Sequence, residues 1–215
     1  MRKSLAIFVL GVALTLSAVA QASAGQITFQ GLTGSSTRAD VEQVFPNAVH
    51  EKEFGCKLGE ISQTVGPERT ELSCDGLLVP GYDVLGTKFD VSFTFDGKTQ
   101  KLLFVNLFHW WAYPNEASGR RRLAKSEILT QYAQLRTILM SNHGAPRDDH
   151  SFCETDNGQR LSKCDRWQGS PSAYPDDSLG TIELTLDAGG ADTSDPTYWG
   201  DFGISYVLKP QFKGL

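Results

Sequence analysis

Histidines, cysteines and a late run of aspartates are the groups in this chain that could do chemistry. A hydrolase needs a general base within reach of a carboxylate or nucleophile. His109 or His150 with nearby acidic residues offers that arrangement, since His150 follows Asp148-Asp149. His50 stands alone, and His143 falls where a helix is expected to end, a place that favours a cation. No serine lies in a G-x-S-x-G elbow. The patterns H-E-x-x-H, G-x-x-x-x-G-K-S/T and G-x-G-x-x-G are also missing, so no cofactor is expected. Asp187, Asp192 and Asp195 on a Gly-rich stretch supply oxygen atoms of the kind calcium takes. They lack the D-x-D-x-D-G spacing and a closing Glu. No metal is the main expectation, with a calcium-stabilised envelope protein as an alternative.

The thiols read differently once the amino terminus is considered. Residues 1–24 hold Arg2 and Lys3, an apolar run from Leu5 to Ala20, and Ala22-Ser23-Ala24 before Gly25. That is the pattern of a cleavable export signal. Its removal takes away two basic residues and no acidic ones, so the net charge moves from −5 to −7 over the remaining 191 residues. An acidic chain argues against nucleic acid as a partner. No later apolar run reaches the ~20 residues of a spanning helix. The expected location is periplasmic or secreted, where Cys56, Cys74, Cys153 and Cys164 pair. Cys56–Cys74 with Cys153–Cys164 is favoured among three connectivities, each bridge falling within one half of the chain. Such loops contribute roughly 3 kcal/mol each in the chain-entropy model.

The most informative local stretch is aromatic and basic. Phe108-His109-Trp110-Trp111-Ala112-Tyr113 is followed by Arg120-Arg121-Arg122. Period-two alternation places only one of Trp110 and Trp111 on a given sheet face. The other side chain is then free for a contact outside the core. Aromatics and arginine dominate interface hot spots. Phe108, Trp110, Trp111, Tyr113, Arg120 and Arg121 are therefore the candidate binding residues, carried on a loop at 108–113. The competing reading closes the core with both tryptophans and begins a long helix with the arginines.

Those residues need elements to hold them. Thr37-x-x-Asp40 reads as a capping box opening a short helix that Pro46 ends. Residues 69–79 and 84–95 read as strands, the second placing Phe89, Val91, Phe93 and Phe95 on one face. Asp96-Gly97-Lys98 is a turn and residues 101–108 return. Residues 121–142 form the longest helical candidate, with Ile128, Tyr132, Leu135 and Leu139 on one face and Gly144 past its end. Asn157-Gly158 marks a hairpin turn inside a Cys-flanked segment. Strands at 179–187 and 201–208 flank a Gly/Asp-rich loop. The expected fold is α+β: an antiparallel sheet with helices packed on one face, from a tandem helix-plus-three-strand duplication. Its halves are residues 25–118 and 119–215, two domains or one continuous domain.

Gly34, Ser36 and Val41 at the first helix, with Phe95-Asp96-Gly97-Lys98 and Leu102 at the hairpin, carry a resemblance. In these positions and in element order the chain resembles small periplasmic two-layer domains, those of outer-membrane assembly lipoproteins and of the tandem β-lactamase-inhibitor type. It has no lipid-attachment cysteine and a longer second helix. The resemblance implies a binding or inhibitory module rather than an enzyme. The expected function is thus an exported, non-catalytic protein of inhibitor, immunity or envelope-assembly type. Its partner would be another envelope or secreted protein. The alternatives are the hydrolase and the calcium-stabilised protein.

Overall fold

The computed structural model describes residues 27–52, 61–65, 70–112, 121–146, 154–168, 180–191 and 194–208. Helix α1 spans Arg38–Val44. Strands β1 (Val49–Lys52), β2 (Ile61–Val65), β3 (Thr70–Ser73), β4 (Asp75–Val84), β5 (Thr87–Phe95) and β6 (Leu102–Ala112) follow. The two-residue strand β7 (Leu123–Ala124) leads into helix α2 (Lys125–His143). Strands β8 (Thr155–Asp156), β9 (Arg160–Gln168), β10 (Thr181–Gly189) and β11 (Thr197–Val207) complete the order.

The expected α+β fold and its tandem duplication are overturned. Of the described residues 54% are strand and 20% helix, with two helices. One antiparallel sheet of nine strands runs β1-β4-β5-β6-β11-β10-β9-β8, with β7 also on β11, and β2-β3 is a separate hairpin. Three stretches account for the difference. Residues 49–52 and 61–65, in a polar stretch that reads as loop or irregular strand, are strands that find partners, as are residues 70–73. After the Asn157-Gly158 turn the Cys-flanked segment runs on into the nine-residue β9, whose inward positions include Lys163 and Asp165 and so break the apolar period. Leu123-Ala124 pairs with Thr197-Tyr198, which delays the long helix to Lys125. The two halves also share one sheet, because β6 pairs with β11 from Phe104↔Val207 to Ala112↔Gly200.

The core lies on one face of this sheet. Phe89, Val91, Phe93 and Phe95 of β5 are fully buried, as are Leu102 and Val105 of β6 and Phe202 of β11. Helix α2 adds Ile128, Tyr132, Leu135 and Leu139 to the same cluster. Over the other half the cover is aromatic and local. Phe29 stacks on Phe45, just past α1, with ring centroids 6.1 Å apart, and Phe45 lies 5.3 Å from Phe93. The α1 capping box forms as its sequence implies: the Thr37 N–H donates to the Asp40 carboxylate at 2.7 Å, holding its pKa below the usual range.

Helix α2 is tied down by a buried polar group. Asp165 on β9 is 5% exposed, yet its Oδ2 accepts from the Tyr132 hydroxyl and the Arg136 Nε, both at 2.9 Å. Burial first, then that carboxylate, push the Tyr132 phenol far above its ordinary range. The start of α2 is set by Glu127, whose carboxylate accepts the Ala124 N–H at 3.0 Å. Gly144 ends it with φ +80°. Cys74 precedes β4 and Cys164 lies in β9; both are buried and neither is a free thiol. Four strands separate β4 from β9. At ~4.8 Å per strand that is far beyond a disulfide's reach of about 6.8 Å, so the two are not bonded to each other. Cys56 and Cys153 lie outside the described residues, as does the export signal.

Candidate functional site

Strand β6 is the element on which the candidate binding residues converge. It continues through Trp110 and Trp111 to Ala112, so the expected loop at 108–113 is strand up to that point. Pairing with β11 drives the extension. Trp111 is the extra residue of a bulge between Asp201↔Trp110 and Gly200↔Ala112. It is 4% exposed, donates its Nε1–H to the Tyr198 carbonyl at 2.9 Å, and packs on Phe202 with centroids 4.9 Å apart. Gly200 makes room for it: a Cβ there would collide with the Asp187 carbonyl and come within 2.9 Å of the Trp111 ring.

Trp110 lies on the opposite face, half-buried. Phe104, Asn106 and Phe108 share that face at alternate positions and are likewise half-buried. The register shows what flanks them. One row across five strands reads Asp90, Phe108, Gly203, Thr185, Cys164. The next reads Ser92, Asn106, Ser205, Glu183, Arg166. In these two rows the β6 side chains sit among small and polar strand neighbours. Among the described residues this column is the feature of that face that solvation alone does not explain.

At its far end the column opens into a cleft of about 550 Å³ lined by Asp90, Phe108, His109, Trp110, Arg121 and Gln131, among others. The cleft exists because β5 and β6 part beyond Asp90↔Phe108. There His109 Nδ1 meets the Lys88 carbonyl at 2.7 Å, and the Asp90 carboxylate takes the Gly81 N–H at 3.0 Å. The Gln131 Oε1 is buried without a hydrogen-bond partner among the described residues. Arg121 is exposed at the rim and forks onto Glu127 at 2.6 and 3.1 Å. That pair lowers the Glu127 pKa to about 2 and raises that of Arg121. Arg122 plays a different part, binding Asp195 at 2.6 Å and the carbonyls of Gly190 and Thr197. The arginine run is thus split between a rim and a buttress, and it precedes rather than opens α2. Tyr113 and Arg120 lie outside the described residues.

Sequence reasoning missed Asp201. It stands directly opposite Asp187 across β10 and β11 and beside Trp110 across β6. Burial, then the Asp187 charge, raises its pKa to about 6. Asp187 itself is held by Arg160 at 2.9 Å. Only alternation within two strands could have signalled the pair, and their register is not written locally. Of the calcium candidates, Asp187 and Asp195 are each engaged by an arginine, and Asp192 lies outside the described residues. Among the described residues no three His, Cys, Asp or Glu side chains gather as a metal site. His143 is half-buried in α2, and burial lowers its pKa, which disfavours the cation expected at the helix end. His50 pairs with Asp75 at 3.3 Å, and His150 is outside the described residues.

Comparison with family models, with curated proteins and with solved structures finds no match to this chain.

Proposed function

We propose that the protein is exported and works without catalysis, binding another envelope or secreted protein through the β6 face of its sheet. The observation that carries this reading is the column Phe104, Phe108 and Trp110, half-buried on a face where Phe108 and Trp110 are flanked by Asp90, Gly203 and Asp201. Large aromatics set among such neighbours are the usual anchors of an interface, with the surrounding polar groups forming its rim. Arg121 and the cleft beside Trp110 extend the same surface. Among the described residues no helix is long and apolar enough to cross a membrane.

Two disulfides belong to this reading. With Cys74 and Cys164 too far apart to bond to each other, the favoured connectivity stays Cys56–Cys74 with Cys153–Cys164. Non-reducing peptide mapping of the exported protein is expected to return those two bridges, with a mature amino terminus at Gly25. For the partner, cross-linking in envelope extract followed by titration of the purified partner is the test. Phe108→Ser with Trp110→Ser is expected to weaken binding at least ~100-fold with an unchanged melting temperature. Equal affinity of wild type and double variant would remove this face from the function.

A further inference from the structure

A second site lies on the other side of the sheet, independent of the β6 aromatic column. Between α2, the sheet and residues 28–30 there is a cavity of about 350 Å³. A close-packed core does not leave such a space, and its size falls at the lower end of the ~300–1,000 Å³ of small-molecule sites. Leu107, Leu135, Leu139 and Ile204 form apolar walls. The polar groups gather at one end. Phe29 sits between two tyrosines, its ring centroid 5.9 Å from Tyr82 and 5.1 Å from Tyr206, and His143 meets Tyr206 edge-on at 6.4 Å.

The hydrogen-bonding state of that end is specific. Gln30 Nε2 donates to the Tyr82 oxygen at 2.7 Å, which leaves the Tyr82 hydroxyl hydrogen to point elsewhere. Tyr206 is only 8% exposed and lines the cavity, yet its hydroxyl has no hydrogen-bond partner among the described residues. The hydroxyl oxygen itself keeps contact with solvent, and its hydrogen is available to an acceptor inside the cavity. Burial pushes the Tyr206 pKa up to about 12 and that of His143 down, which keeps the phenol a donor and the imidazole uncharged. Among the described residues no lysine, arginine, aspartate or glutamate lines the cavity. An ionised ligand would therefore enter without a counter-charge, at a high desolvation cost.

We propose that this cavity binds a small uncharged apolar molecule carrying one carbonyl group, with the Tyr206 hydroxyl donating to the carbonyl oxygen and the leucine walls holding the hydrocarbon part. The volume suits about ten to fifteen non-hydrogen atoms at the scale of ~30 Å³ per water. The probes are 4-phenyl-2-butanone and butylbenzene, which share size and ring but differ in the carbonyl. Each is titrated into the oxidised, signal-free protein and followed by amide chemical shifts. The expected result is saturable binding of the ketone, with the largest shifts at Leu107, Leu139 and Tyr206. Tyr206→Phe keeps the ring; it is expected to weaken the ketone about five- to tenfold and to leave the hydrocarbon within about twofold. Ile138→Trp, placed at the cavity's half-exposed rim, is expected to block both probes. The proposal is overturned if neither probe shifts those amides, or if the ketone shifts map to Phe108–Trp111. It also fails if Tyr206→Phe weakens both probes equally.

Discussion

The two faces of β6 carry nearly the same chemistry and put it to opposite use. Inward, Val105, Leu107 and Trp111 are buried against β5, β11 and the residues that cover them. Outward, Phe104, Phe108 and Trp110 are only half-buried. The difference lies in the neighbours. Inward rows meet Phe93, Val91 and Phe202, whereas outward rows meet serine, threonine, glycine and aspartate, with Val207 beside Phe104 the one apolar partner among these pairs. An aromatic residue type thus does not say whether it is core or contact; the strands paired on either side decide that.

Substitutions on the two faces should separate sharply. Phe93→Ala on the inward side is expected to cost about 4 kcal/mol, read as a fall in the denaturant midpoint. Phe104→Ala on the outward side should stay below about 1 kcal/mol. Near-equal losses would show that the outward face is covered in the folded protein. Asp165→Ala comes next. It strands the Tyr132 hydroxyl and the Arg136 guanidinium, and a loss of about 3 kcal/mol is expected from urea unfolding.

Asp201 gives a pH test on the outward face alone. Its folded pKa, about 6, lies above its unfolded value. The associated stability is therefore fully present below the unfolded pKa of ~3.9 and is lost as pH rises through about 6. Because the group is only half-buried and solvent screens it, the loss over that window should be on the order of 1–2 kcal/mol, and Asp201→Asn should flatten the curve. A wild-type profile that rises from pH 4 to 7 with the same slope as the variant would contradict the burial of this group. The smallest effect is expected at the β4–β5 turn. Leu85 sits there with φ +52° and is 65% exposed, before Gly86 with φ +81°. Leucine is strained in that region where asparagine is tolerated. Leu85→Asn should raise stability by about 0.5–1 kcal/mol, visible as a melting shift of a few degrees.

Local signals were legible wherever the period was clean. The Phe89–Phe95 face, the α2 stripe from Ile128 to Leu139, the Thr37/Asp40 cap and the division between Trp110 and Trp111 can all be read directly from the chain. β9 could not, because Asp165 occupies an inward position whose partners, Tyr132 and Arg136, come from another element. The predominance of strand was hidden for the same reason: Val49–Lys52 and Leu123–Ala124 are strands only because β4 and β11 lie alongside them. At the candidate site the residue types were visible. The strand carrying them, the Asp201–Asp187 opposition and the cleft at the parting of β5 and β6 depend on pairings between distant segments.

The junction of β6 and β11 has a consequence in time. It joins residues 88 to 103 positions apart in the chain, and it is the middle of the sheet. A chain delivered from its amino terminus has β6 long before Thr197–Val207 arrives, so until then β6 keeps an open edge with aromatic residues on both faces. Closure across such separations is slow, on the order of milliseconds to seconds. The interval invites pairing with the wrong strand. Whatever receives the chain during that wait meets the same Phe108 and Trp110 that the finished molecule displays.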